Sequence, residues 1–172
     1  MFPLVTASRV RLSEVPVWDE AKGELRILGK RYAAIDVESL CQHLEALVGV
    51  QVAEVIIDNH ETRLGRQDAA RVRQEKPQAT LSEIVSHIEK SDRLSGMGIT
   101  TVTFPETSDK AITVEMSNPV VRATVGAAKS FMFSYWKGVL SVLLGKEFDM
   151  NNVIYDETKS LLKCQFTPRP TK

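Results

Sequence analysis

SFMFSYWKGVLSVLLGKEFDMNNVIYDETKSLLKCQF, residues 130–166, is the stretch whose reading sets the fold of this chain. It opens as an aromatic-rich helix carrying Gly138, and Gly145 ends that helix in the usual C′ role. Residues 148–155 and 160–166 follow as β-rich runs that pair as a hairpin around Asp156, Glu157, Thr158 and Lys159. No residues in the stretch form an acid/base pair or an activated nucleophile. They offer an apolar and aromatic wall, which suits a domain that holds an apolar molecule or a partner.

Working outward, ITTVTF (99–104) and AITVEM (111–116) are β-rich and separated by the turn-prone PETSDK. Ser117, Asn118 and Pro119 then read as cap residues with proline in a first turn, so the last helix is expected to start there, irregular until Gly126. Upstream lie three helices. Asp36 caps the first, with Val37, Leu40, Cys41, Leu44, Leu47 and Val48 at helical spacing and Gly49 closing it. The second, over 51–73, has an expected inward face of Ala53, Ile56, Ile57, His60 and Leu64, and a polar end that stops at Pro77. The third follows Thr80, three residues before Glu83 as a capping box requires, with Leu81, Ile84, Val85 and Ile88 apolar.

Residues 24–28 and 31–35 predict a hairpin around Gly29 and Lys30, and residues 1–23 show no clear period. The tail TPRPTK is expected to be disordered. The order ββ-ααα-ββ-α-ββ predicts an α+β fold, an antiparallel sheet of hairpins packed against a helical layer, and not a βαβ dinucleotide fold. The expected organisation is an N-terminal extension over 1–30 with the start of the first hairpin, one domain over 31–168, and a tail over 169–172.

At 172 residues the chain can bury a real core. Its 22 Lys plus Arg balance 22 Asp plus Glu, which leaves no electrostatic footprint for a phosphate backbone, and no nucleic-acid partner is expected. No apolar run reaches the ~18 residues of a membrane span, and the start MFPLVTASRVRL lacks a secretory pattern. With only Cys41 and Cys164, no disulfide framework is available. A cytoplasmic, reduced protein without membrane association is the expectation.

The candidate ligand-binding residues are Phe131, Tyr135, Trp136 and Leu140 on the last long helix, Met97 before the strand at 99, and His60. The aromatic set either lines an apolar cavity or fills a core, and the spacing alone allows both. His60 is either a polar anchor for a phenolic or carboxylate ligand or a core histidine satisfied by hydrogen bonds. Glycine inside a helix costs up to about 1 kcal/mol relative to alanine, so Gly138 calls for a reason such as close helix approach. Arg63, Arg66, Arg71 and Arg73 are interleaved with Asp68 and Glu75 and read as a solvated face. There is no phosphate loop, no HExxH and no Ser/His/Asp order with supporting context.

Several motifs occur together in order. They are Glu61-Thr62-Arg63-Leu64-Gly65-Arg66, Leu94-Ser95-Gly96-Met97-Gly98-Ile99, Val114-Glu115-Met116-Ser117, Tyr135-Trp136-Lys137-Gly138, Gly145-Lys146-Glu147, and Cys164 before Phe166. Over residues 31–166 the chain resembles the 4-vinyl reductase domain family, small-molecule-binding modules related in fold to TRAPP tethering subunits. The resemblance implies non-enzymatic binding of a small hydrophobic or aromatic molecule, linked to tetrapyrrole or aromatic-compound metabolism, by a homodimer whose output passes through dimerisation or a separate protein. It also implies two alternatives: a structural or assembly subunit, and an accessory to a vinyl reductase. Some members hold a structural zinc through cysteines and an acidic residue. Here Asp156 stands where the other cysteine would be, and Cys164 with Asp156 or Glu157 is an incomplete set, so neither zinc nor another cofactor is expected.

Overall fold

The computed structural model describes residues 17–19, 24–27, 30–32, 36–106 and 110–170. The chain divides into two compact units, Met1–Ala34 and Ile35–Lys172. In the first, β1 (Val17–Asp19), β2 (Glu24–Ile27) and β3 (Lys30–Tyr32) form an antiparallel sheet in the order β1-β2-β3. The β2–β3 pair is the expected hairpin. β1 is three residues long, too short for alternation to reveal it in the sequence.

The second unit begins with α1 (Val37–Val48), whose first turn is held by Asp36 accepting from Ser39 N at 3.1 Å. Gly49 separates it from α2 (Val50–Glu75). α3 (Leu81–Leu94) carries the capping box intact, with Glu83 N donating to Thr80 Oγ1 at 3.3 Å and Thr80 N donating to Glu83 Oε2 at 2.8 Å. β4 (Ile99–Thr103) and β5 (Ile112–Ser117) precede α4 (Gly126–Leu144), and β6 (Phe148–Asp156) and β7 (Leu161–Pro168) close the unit.

The four late strands form one antiparallel sheet in the order β4-β5-β7-β6, so β7 returns to pair with β5 as well as with its hairpin partner. Ile112, Val114 and Met116 on β5 and Leu162, Cys164 and Phe166 on β7 point to the core. On the opposite face Glu115 and Lys163, directly opposed across β5 and β7, form an ion pair at 3.0 Å. The β4 edge is covered by α3: Val102 N donates to Glu89 Oε1 at 2.8 Å, which removes an unpaired edge donor.

Three expectations need correction. Residues 118–125 are not helical; Pro119 lies in an irregular connection in which Asn118 N donates to Ser160 O and Val120 N to Met97 O, and α4 starts at Gly126. Backbone bonds to neighbouring segments replace the first helical turn there. The tail is ordered further than composition suggests: Thr167 and Pro168 belong to β7, Arg169 N donates to Glu147 O at 2.8 Å, and its side chain pairs with Asp149 at 2.6 Å. The inward face of α2 is Ala53, Ile57, Glu61, Gly65, Ala69 and Val72, one residue round from the expected set. Ile56, His60 and Leu64 lie on the solvent side, because small residues at 53, 65 and 69 let another helix come close.

Candidate ligand site

α4 is the centre of the unit. It packs on α2 through Ser134 and Gly138, and α2 meets it with Asp58, Thr62 and Gly65; Ala127, Ser130 and Ser141 on α4 and Ala53 and Ala69 on α2 are small and buried as well. The helices touch backbone to backbone. A Cβ on Gly65 would lie 2.0 Å from Tyr135 O, and one on Gly138 would lie 2.0 Å from Thr62 O. Gly138 therefore has the close approach its sequence position calls for, and its partner is α2 of the same chain.

Polar bonds fasten this seam along its length. Glu45 of α1 accepts from Ala127 N at 2.8 Å and so satisfies an open donor at the start of α4. Asp58 accepts from Ser134 Oγ at 2.6 Å and pairs with Lys137. At the far end Arg73 donates to the Val142 and Leu143 carbonyls at 3.0 and 2.8 Å, covering open acceptors of the last turn. Arg66 grips both carboxylate oxygens of Glu147 at 2.7 Å. The arginines expected to form a solvated face thus include two that clamp α2 onto the α4–β6 segment.

Trp136 and Leu140 are completely buried, while Phe131, Tyr135 and Met97 are half-buried and pack against the same core. Tyr135 and Trp136 meet edge-on with centroids 6.2 Å apart. Trp136 Nε1 donates to Asp92 Oδ2 at 2.8 Å, Thr100 Oγ1 donates to the same oxygen at 2.8 Å, and Met97 N donates to Asp92 O at 3.0 Å. The structure thus brings Met97, Phe131, Tyr135, Trp136 and Leu140 to one core and leaves His60 outside it, with a side chain 57% exposed.

Two buried carboxyls accompany this core. Asp92 is held up to about 6 by loss of solvation, against the lowering effect of its bonds from Thr100 and Trp136. Glu61 is pushed up to about 7 by burial, and its Oε1 lies 3.3 Å from His60 Nδ1. Glu61 escapes a reading of the sequence because a charged residue on an apolar helix is assigned outward by default.

A cleft opens where the strands end. Phe104 and Pro105 leave β4, Ile112 starts β5, Phe148 starts β6, Pro168 ends β7, and Leu144 ends α4; with Lys110 and Lys146 they line a partly open space of about 160 Å³. Its walls are almost wholly apolar, and the two lysines are exposed at its rim. A 160 Å³ space is close to the ~150 Å³ of an apolar cavity known to take up benzene. The sequence marks these residues as terminators of elements, and nothing in their spacing shows that these ends meet.

Among the described residues no three His, Cys, Asp or Glu side chains are grouped as metal ligands. Cys164 lies fully buried on the inner face of β7, its thiol pushed up to about 12 by burial. Asp156 Oδ1 accepts from Thr158 N at 3.0 Å, Thr158 Oγ1 at 2.6 Å and Lys159 N at 3.2 Å, which commits it to the β6–β7 turn. These two residues do not make a donor set that fits zinc. Among the described residues no helix is long and apolar enough to cross a membrane.

No protein-family model matches the chain, and no curated protein matches it in sequence. Solved structures do match. The phenol-responsive sensory domain of the transcription activator PoxR, solved with phenol, superposes with a TM-score of 0.67 at 12% identity, over 91% of this chain and 86% of that one. Trafficking protein particle complex subunit 3 from Naegleria fowleri, covalently bound to palmitic acid, gives 0.48 at 9% identity over 78% and 96%. A point mutant of T. Tengcongensis H-NOX gives 0.38 at 13% identity over 78% and 96%. The first match establishes a shared fold with the PoxR sensory domain; the other two are too loose in shape to carry an argument. The α+β architecture expected from the sequence is the one observed.

Proposed function

We propose that this chain is a non-enzymatic module that binds one small hydrophobic or aromatic molecule and reports its presence. The observation that carries the reading is the apolar cleft of about 160 Å³ at the end of the sheet, sized for a single ring. Leu140 and Leu144, four apart, share a face of α4, so the cleft wall continues into the core that holds Trp136. A ligand seated against Leu144 thereby presses on the same helix that α2 clamps, which gives binding a route to the rest of the fold. The PoxR sensory domain, with the same fold and phenol bound, supports the sensing role. Burying roughly 100 Å² of ligand surface contributes about 2.5 kcal/mol before the cost of immobilisation, so affinity for a bare ring is expected to be weak.

The test is a two-dimensional amide NMR titration of the purified chain with toluene and with phenol. Shifts concentrated on Phe104, Ile112, Leu144 and Phe148 are expected. An absence of shifts at these amides up to ligand saturation of the buffer would refute the cleft as the site.

A second reading, a structural subunit that pairs with another copy, is favoured by the apolar side chains left outside on α1 and α2. Leu47 is 81% exposed and Val55 58%, with Leu40, Val50, Val52 and Ile56 also exposed. Sedimentation equilibrium of the wild type and of Leu47→Glu with Val55→Glu decides it: a dimer lost in the variant supports this reading, and a wild-type monomer overturns it.

A further inference from the structure

Among the described residues that line the cleft, the charged ones are both lysines, and their charge narrows what it accepts. Lys110 enters from the segment before β5, and Lys146 follows the glycine that ends α4; both line the space and both are exposed. Among the described residues neither is held in an ion pair or a side-chain hydrogen bond. The acidic neighbours on the β6 side are already engaged: Glu147 by Arg66 at 2.7 Å and Asp149 by Arg169 at 2.6 Å. Glu106, beside Pro105, does not line the cleft. The negative end of the α4 dipole also points this way, but Arg73 covers the Val142 and Leu143 carbonyls and offsets it. Among the described residues, what remains at the cleft is two lysines with no ion-pair partner above an apolar floor of Phe104, Ile112, Leu144 and Phe148.

A purely apolar ligand would use the floor and gain nothing from the rim, and a bare anion would use the rim and leave the floor wet. The group that uses both is a carboxylate on a compact apolar body. We infer that, resting on the cleft reading above, this site takes a small apolar carboxylate, a single ring or a branched chain of comparable size, with its body against Phe104, Leu144 and Phe148 and its carboxylate between Lys110 and Lys146. Lysine suits this position because its ammonium is a mobile point charge on a flexible stem, able to follow a carboxylate as ligand bodies vary.

The inference is tested by NMR titration at the cleft amides with three probes: benzoate, its neutral counterpart benzyl alcohol, and acetate. Benzoate is expected to bind about three- to tenfold more tightly than benzyl alcohol, the range for one or two exposed charge pairs. That gap should close as salt is raised. In Lys110→Gln with Lys146→Gln, benzoate should weaken to the level of benzyl alcohol while benzyl alcohol stays unchanged. Equal wild-type affinities for benzoate and benzyl alcohol, or a benzoate affinity untouched by the double variant, would overturn the charged end and leave the apolar site standing. Acetate binding as tightly as benzoate would reduce the lysines to a plain anion site and overturn the inference in the other direction. If no probe moves the cleft amides, the cleft reading falls and this inference falls with it.

Discussion

The α2–α4 seam and the cleft at the end of the sheet both rest on α4, and they behave as opposites. In the seam, Gly65 and Gly138 bring two backbones together until no atom can be added. In the cleft, Phe104, Ile112, Leu144 and Phe148 surround a space that no side chain of the described residues fills. The aromatic-rich stretch thus marks where the core is packed, and the open space is lined by other residues. Trp136 and Leu140 sit mid-helix, where neighbours on every side compete to cover them. The cleft residues sit at element ends, where the chain turns away and coverage stops.

The largest effect expected comes from the closed side of this contrast. Gly65→Ala or Gly138→Ala places a methyl 2.0 Å from a backbone oxygen, so the helices must separate. Each is expected to cost at least about 3 kcal/mol, above the usual overpacking range because backbone rather than side chain must move. The double variant should cost less than the sum, since one separation serves both. Urea unfolding measures this; near-wild-type midpoints would show that the seam is not closed.

Next in size is Trp136→Phe, which keeps an aromatic ring and removes the Nε1 donor to Asp92. A cost of about 2 kcal/mol is expected from a buried carboxyl left with Thr100 Oγ1 as its side-chain donor. Thermal unfolding of this variant beside Thr100→Val apportions the two bonds. Equal stability to wild type would mean Asp92 finds another donor.

Glu61, on the seam side of α2, responds to pH. Its folded-state carboxyl titrates near 7 against 4.5 when unfolded, so the folded form holds its proton longer. The stability this group contributes is therefore full below about pH 4.5 and declines as pH rises to about 7, by roughly 1–3 kcal/mol. Glu61→Gln should remove that decline, measured as the difference in unfolding free energy between pH 5 and pH 8. A wild-type slope retained in the variant would assign the effect to Asp92, whose carboxyl near 6 acts in the same direction.

The smallest stability effect is expected in the cleft. Leu144→Phe adds volume beside an unfilled space and should change stability by less than about 1 kcal/mol while abolishing the toluene-induced shifts. A large destabilisation would show that the space is already packed.

Legibility in the sequence follows the range of the interaction. The capping box at Thr80 and Glu83, the Asp36 cap and the helix stop at Gly145 are readable because their partners lie within four residues. The face of α2 is misread by one residue because hydrophobicity favours Ile56 and Leu64, whereas the packing partner demands smallness at Gly65 and Ala69. His60 and Glu61 exchange places for that reason. Arg169 and the end of β7 are misread because their order comes from Glu147 and Asp149 at the start of β6, distant in sequence and brought alongside by the β6–β7 pairing.

The residues alone announce α1 and α2 to within a residue or two, the start of α3, the hairpin character of the strands, and an α+β architecture. These rest on local backbone preference and on periodic burial, both written within a few neighbouring positions. That β7 pairs with β5, that Gly65 and Gly138 lie in one seam, and that the ends of several elements enclose a cleft beneath two lysines emerges from the folded arrangement. Each of these depends on distant segments arriving at one place, and that information is held by the packing of the whole chain.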